Sequence, residues 1–281
     1  MTEKAGRALG STVKELRGFG VFNEPVVCAM DKHQIPRYDE GMEPFLTRGQ
    51  EKAGTFKFET YATLQCVEEG RRAQVACAHV GPLDDNADVI AGLLGQARLR
   101  EVEVSLLLLD REFFSASCMA RLDKEGQRYL MPCKLTSRTK EAIREHARGE
   151  RRRVSRCKIT STEGREGAYN IVILPRRFVM WNVRRLPDDY RRRWGIETGY
   201  AGVEGLRART TSKSHTLRLL YFYYALVLYN AWLLSNLMIA KRFSKILGAP
   251  IIEMQTLKVT IHRVVIASFG EDRHERNRTG G

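Results

Sequence analysis

Two short apolar runs in the first half of the chain each stop on an aspartate. One is Pro25 to Asp31, with the sequence PVVCAMD, and the other is Val102 to Asp110, with the sequence VEVSLLLLD. Apolar runs of this length, bounded by polar residues, are typical of buried strands. We therefore predict two interior strands, with Asp31 and Asp110 at or near their ends.

The residues between these runs predict a hairpin followed by a helix. Thr55 to Cys66 and Arg71 to Val80 are rich in Thr, Phe, Tyr and Val, and a Glu-Glu-Gly turn lies between them. The acids after Pro82 suit the first turn of a helix, and the apolar spacing carries that helix to about Arg100. The polar segment from residue 32 to residue 54 predicts irregular chain.

The second half of the chain mixes helical and strand patterns. Phe113 to Glu125 predicts a helix, and Arg128 to Cys133 and Tyr169 to Leu174 predict strands on either side of a very basic interval. Thr256 to Ala267 fits either a helix or a strand. The polar tail from Phe269 to Gly281 predicts disorder.

One long apolar run, Leu217 to Ala240, is long enough to span a bilayer. It nevertheless carries Arg218, Asn230, Ser235 and Asn236, and no second hydrophobic segment accompanies it. We therefore favour a buried core helix over a membrane span.

The stretch from Tyr190 to Ser212 contains no proline and predicts one helix. Steps of three and four residues put these side chains on one face: Tyr190, Arg193, Glu197, Tyr200 and Glu204. Another face carries three glycines: Gly195, Gly199 and Gly202. Each glycine costs roughly 1 kcal/mol of helix propensity, so we expect them to let the helix lie close to a sheet. A solvated, salt-bridged surface helix is the alternative.

The charge of the chain favours a polyanionic partner. It has 47 Lys and Arg against 33 Asp and Glu, for a net charge of +14. Nucleic acid is the first expectation, through counterion release, although ribosome-associated and membrane-surface proteins carry a similar excess.

The cysteines and the N-terminus suit a cytosolic protein. Six cysteines are scattered at positions 28, 66, 77, 118, 133 and 157, with no C-x-x-C pair. We expect reduced, buried thiols rather than zinc ligands or disulfides. Residues 1–22 lack an apolar segment, so we expect no signal peptide.

The stretch from Tyr190 to Ser212 resembles the signature of insertion-sequence transposases of the DDE type, written Y-x2-R-x3-E-x6-K. Tyr190, Arg193 and Glu197 match it, and Glu204 stands where the family usually has lysine. The segments that end on Asp31 and Asp110 resemble the regions of the first and second catalytic aspartates.

This resemblance implies an α/β fold, in which helices flank a ribonuclease H-like mixed sheet and a small β-rich insertion precedes the last catalytic helix. The first and fourth strands of that fold are parallel neighbours, so their acids meet. The resemblance implies that Asp31, Asp110 and Glu197 are catalytic and hold two Mg²⁺ ions, with Mn²⁺ as a substitute. Asp31 would bridge the ions. Each aspartate could instead cap a helix or lie in a loop, and Asp39 is an alternative to Asp31.

Basic and aromatic residues form the predicted DNA contacts: Tyr190, Arg193, Arg207, Arg209, Lys213, Arg151, Arg152 and Arg153. Arg193 could pair internally with Glu197 instead, and the basic run at 151–153 could be a solvated face. His33 is a weaker candidate for contact with metal or DNA. We expect Trp194 in the core rather than stacked on a base.

The predicted organisation is an N-terminal helical segment (1–22), a catalytic core (23–127 and 176–268), a β-rich insertion (128–175) and a disordered tail (269–281). The predicted function is DNA transposition, with cleavage at transposon ends and strand transfer into target DNA. The resemblance implies a homodimer, and we expect a cytoplasmic, nucleoid-associated protein without a membrane partner. A metal-dependent nuclease of the same fold and a degenerate DNA-binding remnant remain as alternatives.

Overall fold

The computed structural model describes residues 2–40, 43–132, 154–158, 169–173, 186–243 and 250–264, together with positions 137 and 141. Several sequence predictions lie outside what the structure describes, among them the arginines at 151–153, Cys133, the side chain of Cys157 and the C-terminal tail.

A six-stranded mixed sheet forms the centre of the fold. Its strands are β1 (Val26–Arg37), β2 (Thr47–Lys52), β3 (Thr55–Cys66), β4 (Gln74–Val80), β5 (Val104–Leu109) and β6 (Tyr129–Leu130). They lie in the order β2-β3-β1-β5-β6, and β4 also pairs with β3. β1, β5 and β6 are parallel, and the other pairs are antiparallel. The predicted hairpin and the predicted parallel pairing of the two acid-bearing strands are both present.

Two helices cover one face of the sheet, α2 (Asn86–Leu99) and α3 (Ala116–Lys124). They pack against alternate residues of the central strands, such as Met30 and Leu107, because successive side chains of a strand point to opposite faces. α2 begins where predicted, since the Asp85 side chain accepts a hydrogen bond from the amide of Ala87 at 3.2 Å.

The opposite face carries α4 (Leu186–Arg191), α5 (Trp194–Leu206) and α6 (His215–Arg242). Ile196 and Tyr200 of α5 pack on Val27 and Leu108. The N-terminal helix α1 (Thr2–Gly18) packs against α6 and β4. A last helix, α7, covers residues 254–264.

Glycines let α5 lie close to its neighbours, as predicted. A Cβ atom at Gly199 would overlap the buried side-chain amide of Gln65 on β3, and one at Gly195 would lie 3.2 Å from Val67. At Gly202 the neighbour is Tyr229 of α6, 2.8 Å away. Close packing thus offsets the low helix propensity of glycine.

The long apolar helix α6 packs within the protein. Among the described residues it is the one helix long and apolar enough to cross a membrane. The side chain of Asn230 donates to the carbonyl of Gln74 at 2.9 Å and accepts from its amide at 2.8 Å. Asn236 accepts from the amides of Ile251 and Ile252 at 2.6 and 2.7 Å. Because buried amides need such partners, this packing supports the core-helix interpretation.

Strand β1 is longer than the sequence predicts. It continues past Asp31 to Arg37, and residues 47–52, predicted to be irregular, form β2. β1 pairs with β3 as far as Arg37 opposite Lys57. The polar residues of this extension have no strand-like apolar pattern. They form a strand because β3 lies beside them and supplies the hydrogen bonds. Asp31 therefore lies within a strand, at the point where pairing with β5 stops.

Two predicted insertion strands differ in where they lie. The sequence predicts that the segment from Arg128 belongs to the insertion, but its strand β6 pairs in parallel with β5 in the core sheet. Val154–Lys158 (β7) and Tyr169–Ile173 (β8) form a separate antiparallel pair, which agrees with a small β-rich segment. The domain limits stay predictions.

Within the part of the chain that the structure describes, these cysteines are free and buried, as expected: Cys28, Cys66, Cys77 and Cys118. Burial is the largest effect on their acidity, and it raises the pKa of Cys66 and of Cys77 to about 12. These thiols therefore remain protonated and behave as small core residues.

Candidate active site

Two aspartates lie side by side because their strands are parallel neighbours. Met30 of β1 pairs with Leu109 of β5, and the next residue of each strand segment is the acid, Asp31 or Asp110. Asp110 precedes a short 3-10 helix at Arg111 but does not cap it through its side chain. The Asp110 side chain therefore does not cap this helix, which was the alternative to a catalytic role.

Asp31 is a mostly buried carboxyl group, with a side chain 19% exposed. Burial is the largest influence on its pKa. The charge of Arg193 and the amide of Lys32 oppose that influence, Asp110 and Glu112 reinforce it, and the pKa rises to about 6. Burial disfavours the ionised form of such a group, and a nearby cation favours it.

Arg193 supplies a cation at this point. It lies between α4 and α5 with backbone angles of φ −54° and ψ −32°. The predicted single helix is therefore two helices, but Arg193 keeps helical angles and stays on the predicted face with Glu197. The Nη1 atom donates to Oδ2 of Asp31 and the Nη2 atom donates to Oε1 of Glu197, both at 3.0 Å.

The third predicted acid, Glu197, lies in the first turn of α5 with its side chain 59% exposed. The internal pair of Arg193 with Glu197, an alternative in the sequence, is thus present together with the bridge to Asp31. Burial lowers the pKa of Arg193, but the charges of Tyr190, Asp31, Asp110 and Glu197 outweigh it, and the net pKa is raised. One guanidinium therefore interacts with all three acids.

Two tyrosines hold the acid-bearing strands. The hydroxyl of Tyr190 donates to the carbonyl of Leu109 at 3.3 Å, so this predicted DNA contact points inward against β5. The hydroxyl of Tyr200 donates to the carbonyl of Asp31 at 2.8 Å and shares a 2.7 Å hydrogen bond with Thr63. The sequence pattern puts Tyr200 on the same helix face as Glu197 but does not predict these hydrogen bonds; its helical spacing from Glu197 is the signal that points to the site.

Glu204, which replaces the usual lysine, takes part in a second ion-pair group. It accepts hydrogen bonds from both Nε (2.9 Å) and Nη2 of Arg207, and lies 3.3 Å from Nε2 of His33. The hydrogen bonds of His33 and Arg207 lower the pKa of Glu204 to about 2. His33, predicted as a weak candidate for metal or DNA contact, is thus next to a carboxylate on α5.

The other predicted contacts lie around the segment between α5 and α6. Arg209 and Lys213 are exposed, whereas the Arg207 side chain is only 14% exposed and is bound to Glu204. Trp194 is 55% exposed, so its predicted core position was wrong. It is the first residue of α5, and the next two residues, Gly195 and Ile196, take the buried side of the helix.

The donor chemistry of the three acids suits a hard divalent cation. Within the described ranges, no three or more His, Cys, Asp or Glu side chains are grouped as a metal site. Asp31 and Glu197 nevertheless already share one cationic group, and carboxylate oxygens are the ligands that Mg²⁺ prefers. These acids could hold a metal if the guanidinium of Arg193 moved from between them.

Comparison with protein families identifies the chain. The family model for the transposase DDE domain matches residues 24–230, which include all three acids and Arg193. The chain belongs to this transposase family. No curated protein matches this DDE transposase domain in sequence.

A solved transposase has a similar fold. The DDE transposase domain resembles the cryo-EM structure of the piggyBac transposase synaptic complex with hairpin DNA, with a TM-score of 0.63 and 13% sequence identity. The match covers 90% of this chain and 55% of that chain, so this chain spans about half the length of that transposase. At this identity the likeness shows the fold, and with the strand order it confirms the predicted ribonuclease H-like class.

Proposed function

We propose that this DDE transposase domain cleaves DNA at transposon ends and joins those ends to target DNA. The observation that most supports this is the convergence of the Asp31 and Glu197 carboxylates on one guanidinium, next to the strand that ends at Asp110. Membership of the family supports polynucleotidyl transfer as the reaction class. The solved relative is a synaptic complex with hairpin DNA, and we infer a DNA partner here.

In this proposal Asp31, Asp110 and Glu197 hold two Mg²⁺ ions, with Mn²⁺ as a substitute. When bound, such ions activate the attacking oxygen and stabilise the leaving oxygen in phosphodiester exchange. The chain itself supplies the frame, since parallel strands fix the two aspartates and the first turn of α5 fixes Glu197. The partial burial of Asp31 strengthens every charge interaction at this point.

The basic residues around the acids would hold the DNA. Arg193 is the nearest, and a guanidinium can bind a phosphate with two parallel hydrogen bonds. Arg207 is bound to Glu204. We therefore propose that the exposed Arg209 and Lys213 bind the DNA phosphate that the lysine of the signature usually binds. Contact by the arginines at 151–153 stays a prediction. We further propose a homodimer, one copy for each transposon end, that acts on chromosomal DNA in the cytoplasm.

A strand-transfer assay tests this function. The protein is incubated with Mn²⁺, supercoiled plasmid and a labelled duplex that carries the end sequence of its own element with a free 3′-hydroxyl. A transposase attaches the label to the plasmid. A nuclease of the same fold nicks the plasmid without attaching the label, and a degenerate remnant binds the duplex and does neither.

The variants Asp31→Asn and Asp110→Asn decide the roles of the aspartates. We expect each to lower label transfer by roughly 1000-fold, because an amide cannot replace a carboxylate on a metal, while binding of the duplex is retained. Asp188→Asn is the matched control, since it changes an exposed acid that pairs with Arg191, and it should transfer label as the wild type does. Equal transfer by the wild type and both variants would overturn the assigned roles.

A further inference from the structure

The guanidinium of Arg193 lies where a cation shared by the catalytic acids would be needed. Its two terminal nitrogens bind Asp31 and Glu197 at 3.0 Å each. These two carboxylates come from different elements, β1 and α5, and would otherwise repel each other. Arg193 therefore offsets part of their negative charge in the absence of any other cation.

This arrangement leaves Arg193 incompletely bonded. Its Nε atom is buried and has no hydrogen-bond partner among the described residues. A buried donor without a partner costs free energy, so the bridge is not an optimal arrangement for this side chain. Arg193 also lies in the turn between two helices.

We propose that Arg193 is the resting counter-ion of the catalytic acids, and that it moves to a DNA phosphate when divalent cations bind. The proposal rests on the proposed function, because it takes Asp31 and Glu197 as metal-binding acids. Arg193 binds Oδ2 of Asp31 and Oε1 of Glu197, and its positive charge repels a metal ion held by the same two carboxylates, so Arg193 opposes metal binding in the free protein. Once released, the same fork of donors fits a phosphate. Binding of metal and binding of DNA would then favour each other.

The first test measures Mn²⁺ binding without DNA, from the electron paramagnetic resonance signal of free Mn²⁺. We expect Arg193→Gln to bind Mn²⁺ about tenfold more tightly than the wild type, because a competing positive charge is removed. Arg193→Lys keeps the charge but cannot bridge two carboxylates in the same way, and should fall between them. Arg192→Gln is the matched control, since the neighbouring Arg192 pairs with Glu68 at 3.5 Å, and should bind as the wild type does.

The outcomes separate this proposal from the proposed function. Equal or weaker binding by a folded Arg193→Gln variant would overturn the counter-ion role while leaving the metal site in place. Binding that is absent from the wild type and both Arg193 variants would overturn the metal site, and this proposal with it. If circular dichroism shows that Arg193→Gln is unfolded, Arg193→Lys decides: tighter binding than the wild type supports the exchange, and equal or weaker binding overturns it.

The second test measures the move to DNA. The affinity of a fluorescent duplex is followed by anisotropy with and without Ca²⁺, a divalent cation that carboxylates also bind. We expect Ca²⁺ to raise the affinity of the wild type and of Arg192→Gln by about threefold or more, and to raise that of Arg193→Gln less. An equal increase in Arg193→Gln would overturn the proposed transfer to phosphate.

Discussion

Two arginines each bridge a pair of carboxylates along strand β1. Arg193 joins Asp31 to Glu197, and Arg37, near the far end of the strand, joins Asp39 to Glu59. Asp39, the alternative to Asp31 in the sequence, thus belongs to the second group. The Arg37 and Glu59 side chains are 1% and 0% exposed, whereas that of Glu197 is 59% exposed.

The two groups also differ in how completely their hydrogen bonds are made. Arg37 donates from Nε and both terminal nitrogens, to Asp39, to Glu59 at 3.1 Å and to the carbonyl of Lys213 at 3.1 Å. Glu59 in turn lies 2.6 Å from Nδ1 of His215. Arg193 leaves its Nε unpaired within the described chain. The same three kinds of side chain therefore form a fixed structural group in one place and an exchangeable site in the other.

The largest expected effect is a loss of folding stability when the buried Arg37 group is broken. Glu59→Gln should lower the free energy of unfolding by about 3 kcal/mol, because the buried charge of Arg37 loses an ionic partner. For a chain of this size the melting temperature should fall by about 5 °C. Urea denaturation and thermal melting followed by circular dichroism measure both quantities.

The matched control for that change is Glu197→Gln, which alters the exposed carboxylate bound to Arg193. We expect it to alter the free energy of unfolding by less than about 1 kcal/mol, since exposed ion pairs contribute little. Equal losses in the two variants would contradict the distinction between a structural and an exchangeable group.

A smaller effect should follow from removing one hydroxyl behind Asp31. Tyr200→Phe takes away the donor to the Asp31 carbonyl, and should cost about 1–2 kcal/mol of stability. We also expect it to raise the Mn²⁺ concentration needed for half-maximal strand transfer by several-fold, because β1 is no longer held at the acid. Tyr224→Phe, at a residue 60% exposed, is the control. An unchanged Mn²⁺ requirement in Tyr200→Phe would limit Tyr200 to a stabilising role.

The smallest effect concerns pH and Glu204. Its pKa is lowered from 4.5 to about 2 in the folded protein, first by the hydrogen bond of His33 and then by that of Arg207. This stabilisation is therefore fully present above about pH 4.5 and is lost as the pH falls towards 2. Because the side chain is 44% exposed, we expect less than about 1 kcal/mol. The difference in the free energy of unfolding between the wild type and Glu204→Gln should become smaller as the pH falls from 6 to 3. A constant difference would show that the ionised Glu204 carboxylate does not stabilise the fold.

The elements around the candidate site were predictable from the sequence because their signals are local. The apolar runs before Asp31 and Asp110 gave the two parallel strands, and the acids after Pro82 gave the start of α2. Helical spacing placed Arg193, Glu197 and Tyr200 on one face, and that face meets β1. Each of these signals depends on residues only a few positions apart.

The features that the sequence did not show depend on distant partners. The extension of β1 to Arg37 needs β3 beside it, and β6 belongs to the core sheet because β5 lies next to it. The contact of Glu204 with His33 joins residues on two elements, so the missing lysine could not be interpreted from its position alone. Trp194 is exposed because the glycine face of α5, rather than its aromatic end, packs on the sheet.

Alternate residues of β1 point the same way, and Asp31, His33 and Arg37 all lie on the face that meets α5 and the segment before α6. Inserting or deleting one residue upstream of Asp31 within the strand would turn all three to the opposite side together. A substitution in this strand changes one of these side chains, whereas a change in its length reorients all three. The length of β1 before Asp31 therefore sets the orientation of the candidate active site and of the Arg37 ion pairs at the same time.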